Sequence, residues 1–466
     1  MSKNTILNAI ANGLVDGGCQ YATNFPGFHS HTIFELMGKQ GISLNEKSAY
    51  EKAYGGCIAG KRSVVLIKNF GLNAMADAYV NSLITGVHAG LVIVLTEDTE
   101  INGSQHLQDS RFYINAYPTL WLEPSDLQQA YDYAYDSFSW SERVDTPIVL
   151  RLTSALINGG EQIHNDTSIH YRSPIKKKLE TLHSNYNKFI MHPTNWMLHE
   201  KMLQNKKNKI EKFVEKLYSS QRKKFTATQG IIHVGKPFSS QEKNCNADVI
   251  YLTCYPVCEK LMEAFLKKKK NVKVSEHGYP YISNRLKQYS TTRFEIKSHT
   301  NPRTQCINQY HCPGDLAKLF WGLKKAKPSF IVADIHSYTN ETSDSTQACL
   351  CMGSAVSIAQ GLAECGVTYP FSVSGDVSLL HGGTDLLTEA YTKQIPMGVI
   401  VINNYGSACT GGQAPASLLK IKSVVSHLIR VDYRQTSEAD FTLLCKKLQK
   451  KNLFHVVEVN GTLNNA

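Results

Sequence analysis

The chain has 466 residues, 42% of them hydrophobic, and a formal net charge of +11 at pH 7. That length allows two to four domains of ordinary size. No segment approaches the roughly 18 unbroken apolar residues of a membrane helix, and the N-terminus lacks a signal-peptide pattern, so we expect a cytoplasmic protein that does not enter membranes. The 12 cysteines are scattered through apolar runs, which indicates reduced thiols and no disulfide framework.

Much of the positive charge lies in lysine clusters, at 176–178, 206–207, 223–224 and 267–270. None of these clusters is interleaved with aromatic residues in the manner of a nucleic-acid groove. Solvated helix faces are therefore the favoured interpretation, and we expect no nucleic-acid partner. The charge could also gather anionic substrates by long-range steering.

Helical and strand patterns alternate in the first third of the chain. Helices are predicted at 5–15, 46–59, after Gly71 and at 127–140, and strands at 21–25, 63–67, 91–95 and 148–152. Such alternation indicates a parallel sheet covered by helices on both faces. This part is taken as a first domain, 1–172.

Three further parts follow along the chain. A lysine- and asparagine-rich helical connector is predicted over 173–229. A smaller α/β domain is predicted over 230–300, and a second large α/β domain over 301–466. The first and last domains show the same architecture.

The last domain carries a cluster of polar residues at two strand ends. A buried strand at 371–374 leads to Gly375-Asp376, a helix follows at 379–392, and the next strand, 397–402, leads to Asn403-Asn404. Neighbouring parallel strands would bring Asp376 and Asn404 to the same carboxyl edge, where open α/β sheets bind ligands. A carboxylate, an amide oxygen and a glycine carbonyl suit Mg²⁺ shared with a ligand's phosphates. Ordinary strand-end turns are the alternative.

Motifs along nearly the whole chain resemble those of the large subunit of indolepyruvate ferredoxin oxidoreductase, a thiamine-diphosphate enzyme. The C-terminal motifs are 350–355, Gly375-Asp376, 381–383, Asn404 and 410–413. The N-terminal motifs are 26–27, 45–47, 71–73, 91–94, 104–105, 108–111 and 122–125, and a weaker match lies at 274–278. The resemblance implies a thiamine-diphosphate-binding fold with two doubly wound parallel-sheet domains and a smaller α/β domain between them. The first domain would bind the aminopyrimidine and the last the diphosphate with Mg²⁺.

The resemblance also assigns roles to particular residues. Glu46 would hydrogen-bond the pyrimidine ring nitrogen and so activate the cofactor, although an acid is also favourable at a helix start. Met352 would wedge under the folded cofactor, or fill a core gap as methionines do. Asp376, Asn404 and the carbonyl of Gly406 would hold Mg²⁺.

Four further residues, Gly375, Ser378, Ser407 and Ala408, would line the diphosphate, with backbone amides acting as an anion nest.

Candidate substrate-side groups are His29, His31, His381, Asn73, Gln105 and His106. Asn73 and Gln105 are also candidates for contact with the cofactor. His381 matches a family histidine, whereas His29 and His31 do not, and a histidine in a turn is usually a surface residue. Lying beside the turn at 26–27, both could donate a proton to the decarboxylated intermediate. Together with Phe28 and Leu107, they indicate a diverged pocket.

The related oxidoreductases pass electrons to iron–sulfur clusters held by closely spaced cysteines, a pattern that this sequence lacks. We therefore expect a non-oxidative decarboxylase of a 2-oxo acid, giving an aldehyde or a carboligation product. One alternative is an oxidoreductase subunit that passes electrons to a separate partner. The other is a catalytically silent scaffold, disfavoured because Glu46, Asp376 and Asn404 are all present.

The resemblance implies a homodimer as the minimum unit, with the cofactor bound between the first domain of one copy and the last domain of the other. It leaves open a second subunit. The substrate would be a 2-oxo acid, with an aryl pyruvate as the family's preference.

Overall fold

The computed structural model describes residues 5–101, 104, 106–115, 117–158, 169–176, 186–189, 195–221, 225–235, 246–286, 293–299, 314–334, 346–349, 352–364, 367–407, 413–415 and 421–460. The chain divides into two compact units, Met1–Ile307 and Asn308–Ala466. The finer division into four parts stays a prediction. No helix in these described stretches is long and apolar enough to cross a membrane.

The first unit contains a six-stranded sheet in the order β1-β2-β3-β5-β4-β8. All neighbouring strands are parallel except β8, which pairs antiparallel with β4. The strands are β1 Tyr21–Asn24, β2 Ser63–Lys68, β3 Leu91–Glu97, β4 Leu120–Leu122, β5 Ile148–Thr153 and β8 Cys254–Tyr255. Every residue of β3 and β5 is buried, as expected for parallel strands covered on both faces.

A second, four-stranded parallel sheet lies in the same unit, in the order β10-β9-β6-β7. Its strands are β6 Gln229–Val234, β7 Asp248–Leu252, β9 Asn271–His277 and β10 Arg293–His299. The helices of the unit are α1 Ile6–Asp16, α2 Ser30–Leu36, α3 Glu46–Ile58, α4 Asn69–Ala74, α5 Ala76–Thr85, α6 Leu127–Val144, α7 Ser154–Ile157, α8 Trp196–Leu217, α9 Glu259–Leu266 and α10 Tyr281–Leu286.

Buried charges connect the two sheets of the first unit. Arg111, in the short 3₁₀ helix Ser110–Asn115, binds Asp109 at 2.5 Å and Glu276 at the end of β9 at 2.7 Å. Its guanidinium also donates to the hydroxyl of Tyr255 on β8. Because all these groups lie in the interior, the ion pairs fix the second sheet to the edge of the first.

The second unit contains a six-stranded parallel sheet in the order β12-β11-β13-β14-β16-β15. Its strands are β11 Ile331–Ala333, β12 Ala348–Cys349, β13 Phe371–Gly375, β14 Gly398–Asn403, β15 Leu428–Asp432 and β16 His455–Asn460. Its helices are α11 Gly314–Lys325, α12 Ala355–Glu364, α13 Asp376–Ser378, α14 Thr384–Thr392 and α15 Glu438–Lys451, with a π-helical turn at Leu379–Gly383.

Two of the lysine clusters do not form fully solvated helix faces. Lys206 on α8 is 1% exposed, and its ammonium donates to the carbonyls of Leu83 and Ile84 at the C-terminus of α5. Lys269 is buried, donates to Ala227 O and pairs with Asp248 at 2.5 Å. Backbone carbonyls at a helix end and a carboxylate compensate the buried ammonium groups. Clusters 176–178 and 223–224 lie wholly or partly outside the described residues.

Candidate functional site

Asp376 and Asn404 lie at the ends of two adjacent parallel strands, as the sequence predicted. Gly375 at the end of β13 pairs with Ile402 on β14, so both chains leave the sheet at the same edge. Asn403, the last residue of β14, donates its amide to Glu458 on β16 at 2.9 Å. The Asn403 amide is therefore engaged within the sheet, and Asn404 is the asparagine that reaches Asp376.

Three polar groups converge at this edge. One terminal atom of the Asn404 amide lies 2.9 Å from Asp376 Oδ1 and 3.2 Å from the carbonyl oxygen of Gly406. If that atom is nitrogen, the amide donates to both oxygens. If it is oxygen, three oxygens meet and need a cation between them. Adjacent ligands of octahedral Mg²⁺ at about 2.0–2.1 Å are about 2.9 Å apart, so the spacing fits that ion.

Asp376 is a buried carboxylate whose hydrogen bonding is incomplete. It is 2% exposed, and its Oδ1 accepts the Val377 amide at 2.8 Å, while its Oδ2 has no hydrogen-bond partner in the described residues. Burial raises the pKa of Asp376 to about 6, and nearby backbone amides oppose that rise. A cation bound to this carboxylate would hold the group ionised.

The loop after Asn404 supplies the third oxygen through a left-handed residue. Tyr405 has a φ of 58°, an uncommon value for a residue with a side chain. This turn lets the Asn404 side chain and the Gly406 carbonyl face the same carboxylate. The Ser407 amide donates to the carbonyl of Gln413 at 2.9 Å, and the role of Ser407 at the diphosphate stays a prediction. Ala408 lies outside the described residues.

Glycines leave open space beside this edge. A Cβ built on Gly375 or on Gly382 would meet no heavy atom of the described residues within 4 Å. Gly375 has a φ of −77°, which any residue adopts, so its backbone conformation does not require glycine.

The Met352 turn, residues 352–354, packs against the helical segment that follows Asp376. Gly353 has a φ of +80°, and a Cβ there would lie 3.1 Å from the amides of Gly382 and Gly383 and from the carbonyl of Ser378. The π-helical turn next to it contains His381. The structure thus brings Met352, Ser378 and His381 into one region of the second unit.

Glu46 lies in the first unit, at the start of α3. Asn45 caps this helix by accepting the Ser48 amide at 2.8 Å. The described residues 37–45, which precede Glu46, form a turn and irregular structure. The Glu46 side chain is 8% exposed and packs on Gly71 of α4, where a Cβ would lie 2.4 Å from Glu46 Cγ.

The histidines next to β1 differ in their surroundings. Phe28 and His29 have φ values of 27° and 65°, a left-handed pair that follows the turn at Pro26-Gly27. Burial lowers the pKa of His29, and the nearby Asp98 opposes this effect. His31 contacts the Asn24 amide nitrogen at 2.8 Å through Nδ1 and Glu35 at 3.2 Å through Nε2. Since the Asn24 nitrogen is a donor, Nδ1 accepts, and both ring nitrogens of His31 are engaged.

The other substrate-side candidates are less well placed. Asn73 donates to the Gln108 side chain and accepts from the Tyr113 hydroxyl, both at 2.9 Å. His106 is exposed, and its Nδ1 lies 2.6 Å from the carbonyl oxygen of Leu107. Gln105 lies outside the described residues.

Sequence reasoning missed two acidic residues at strand ends, one in each unit. Asp334 directly follows β11, next to β13, and is fully buried. Asp98 directly follows β3 and accepts the Ser104 hydroxyl at 2.7 Å. An acidic residue immediately after an apolar strand is the signal that could have identified both.

Comparison with known proteins gives the class of the second unit. Residues 329–465 match the family model described as "Thiamine pyrophosphate enzyme, C-terminal TPP binding domain". The expected α/β thiamine-diphosphate fold and cofactor pair are therefore confirmed. The second unit is therefore similar to the thiamine-pyrophosphate-binding domain of thiamine-pyrophosphate enzymes.

The three relatives described next are each named indolepyruvate oxidoreductase subunit IorA. The protein of Archaeoglobus fulgidus is 24% identical over 87% of this chain and 75% of its own length. That of Methanothermobacter marburgensis is also 24% identical, with the same coverage. That of Methanothermobacter thermautotrophicus is 32% identical over 31% of this chain and 25% of its own length. The expected resemblance to the large subunit of the indolepyruvate enzyme is thereby confirmed.

One solved structure is a more distant match. A 2-oxoglutarate:ferredoxin oxidoreductase from Magnetococcus marinus gives a TM-score of 0.47 at 14% identity, covering 64% of this chain and 62% of that one. A likeness at this level supports no conclusion about activity.

The expectation of a non-oxidative decarboxylase or carboligase is wrong. The relatives that align over 87% of the chain are named as oxidoreductase subunits. The expectation depended on a missing run of cysteines. That absence does not decide where electrons go, because an acceptor can lie on another polypeptide.

Proposed function

We propose that this chain is the cofactor-binding subunit of a 2-oxo acid oxidoreductase that passes electrons to a separate partner. The observation that carries the proposal is the similarity to oxidoreductase subunits over 87% of the chain. The convergence of Asp376, Asn404 and the Gly406 carbonyl supports the cofactor-binding half of it.

The proposed reaction removes carbon dioxide from a 2-oxo acid and oxidises its acyl carbon. A 2-oxo acid anion and a nucleophile such as water or a thiol give carbon dioxide, the acyl product, two electrons and one proton. Bound thiamine diphosphate supplies the electron sink that makes loss of carbon dioxide possible. The two electrons require an acceptor, which we place on the partner.

In this proposal, the residues of the second unit bind and orient the cofactor. Asp376, Asn404 and the Gly406 carbonyl would hold Mg²⁺, while Ser378 and the space beside Gly375 would accommodate the diphosphate. Because Asp376 is buried, its attraction for the cation is weakly screened by water.

Glu46 would hold the proton that is shared with the pyrimidine ring nitrogen. Its low exposure and its packing on Gly71 keep water away from the carboxylate and fix its direction. Both features favour proton sharing within a short hydrogen bond.

His29 is proposed as a hydrogen-bonding group on the substrate side. The lowered pKa makes its imidazole neutral at pH 7, so it is a poor acid and a good hydrogen-bond partner for a carbonyl or carboxylate. This property suits oxidation better than protonation to an aldehyde. The adjacent Phe28 ring, 4.8 Å from the His29 ring, supports an aryl 2-oxo acid as the substrate.

The test is acceptor dependence. The purified chain, loaded with Mg²⁺ and thiamine diphosphate, is assayed with a panel of aryl and alkyl 2-oxo acids, with and without a one-electron dye. We expect sustained carbon dioxide release only with the dye, and none from Asp376→Asn or Glu46→Gln. Sustained release without any acceptor would refute the proposal.

A further inference from the structure

Asp334 ends a strand on the same sheet edge as the metal-binding residues. Its amide donates to the carbonyl of Val373 at 2.9 Å, extending the parallel pairing of β11 with β13. The residue is 0% exposed, yet it carries a carboxylate. A carboxylate kept in the interior requires a compensating contact, and that contact indicates its role.

The Asp334 carboxylate contacts a turn that lies far from it in the sequence. Asp334 Oδ1 accepts the amide of Ala355, the first residue of α12, at 2.7 Å. Burial raises the pKa of Asp334 to about 6, and the nearby Ser374 side chain and the amides of Ala355, Gly353 and Ser354 oppose that rise. Asp334 therefore caps α12 from a neighbouring strand rather than from the preceding residue.

The capped turn is the Met352 turn. On one side its amides meet Asp334, and on the other Gly353 packs on the Ser378 carbonyl and the Gly382 and Gly383 amides. The left-handed φ of Gly353 excludes other residues without strain. Contacts fix the Met352 turn on two sides. On one of these sides, the contacts are made by a single carboxylate, that of Asp334.

We propose that Asp334 is a positioning residue that fixes the Met352 turn and thereby the apolar support beneath the ring portion of the cofactor. The proposal uses the assigned place of Met352 and does not depend on how the electrons leave. A group that acts through Met352 influences the rings of the cofactor and not its diphosphate. A positioning residue can therefore be told from a metal ligand, because a metal ligand would affect binding of the diphosphate.

The experiment compares two ligands by calorimetry on the full chain. Magnesium thiamine diphosphate would contact both the diphosphate site and Met352, whereas magnesium pyrophosphate would contact only the diphosphate site. We expect Asp334→Ala to weaken the first ligand about tenfold, because three amides lose their acceptor, and to leave affinity for the second unchanged. Asp334→Asn keeps one acceptor oxygen, so its affinity for magnesium thiamine diphosphate should lie between those of the wild type and Asp334→Ala. It replaces the alanine variant if that variant does not fold.

Three further variants complete the test. Met352→Ala should show the same ligand preference, and Asp334→Ala combined with Met352→Ala should be no weaker than either single change, because both act on one contact. Asp126→Ala removes another side-chain helix cap, at the start of α6, and should lower stability without changing the ratio of the two affinities.

Equal weakening of both ligands in Asp334→Ala, or additive effects in the double variant, would overturn the proposal. Unchanged cofactor affinity in Met352→Ala would also overturn it, by removing Met352 from the site. None of these titrations measures turnover, so their failure is distinct from failure of the oxidoreductase proposal.

Discussion

At the scale of single residues, Gly375 combines an ordinary backbone conformation with open space at the sheet edge where Asp376 and Asn404 lie. Gly375→Ala should fold with unchanged stability, because its φ of −77° suits alanine and nothing in the described part of the chain lies within 4 Å of the new methyl group. The methyl group should weaken binding of magnesium thiamine diphosphate by about tenfold through crowding, as measured by calorimetry.

Gly398→Ala is the matched control for this prediction, since its Cβ would lie 2.3 Å from Phe371 Cε1. It should lower the melting temperature. If Gly375→Ala binds the cofactor as tightly as the wild type, the diphosphate lies elsewhere.

Lys206 should give the protein a distinct alkaline stability profile. Burial lowers the pKa of Lys206 from 10.5 to about 8. The folded chain therefore binds fewer protons than the unfolded chain between those pH values, and stability from this group rises with pH across that window. Relative to Lys206→Met, the unfolding free energy of the wild type should increase by about 3 kcal/mol from pH 8 to 10.5.

Denaturant titrations across that pH range measure this difference. Lys207→Met, which removes the exposed neighbour, should give a curve parallel to that of the wild type. A parallel curve for Lys206→Met would show that the ammonium is accessible to water.

At the scale of elements, the packing of α3 on α4 positions Glu46, for which we propose the activating role. Gly71→Ala would normally favour a helix by about 0.5–1 kcal/mol, but here the methyl group would lie 2.4 Å from Glu46 Cγ. We expect displacement of Glu46 and a loss of turnover of about 100-fold, with binding of magnesium pyrophosphate retained.

Gly55→Ala is the control within α3, because no atom of the residues that the structure describes lies within 4 Å of a Cβ there. It should raise stability and keep turnover. Wild-type rates for Gly71→Ala would mean that the position of Glu46 is not critical.

The joint between the two sheets of the first unit depends on Arg111. Arg111→Met would leave Asp109 and Glu276 buried without their cation and should lower the unfolding free energy by about 3–5 kcal/mol. Arg172→Met, which breaks the exposed pair with Asp136, should change it by less than about 1 kcal/mol. Chemical denaturation compares the unfolding free energies of the two variants. Similar small losses in both would show that water compensates the buried carboxylates once Arg111 is removed.

At the scale of the whole molecule, the resemblance implies that two copies complete each site. We propose a homodimer and a test by complementation, in which differently tagged Glu46→Gln and Asp376→Asn chains are coexpressed and the mixed dimer is isolated. One intact site should form from the two unaltered halves, giving about half of the wild-type activity per dimer. Activity near zero in the mixed dimer would mean that each site uses residues of one chain.

The sequence by itself determined the alternation of strands and helices and the meeting of Asp376 with Asn404. Both follow from local rules, since buried parallel strands are continuous apolar runs and their carboxyl ends share one edge. It could not determine the fate of the electrons, because an acceptor on another chain leaves no mark here.

Only the tertiary structure decided that Asp334 caps a helix 21 residues away, that Gly71 supports Glu46, and that Lys206 and Lys269 are buried. These contacts join residues far apart in the chain. Their existence depends on distances between elements, which no local pattern of residues encodes.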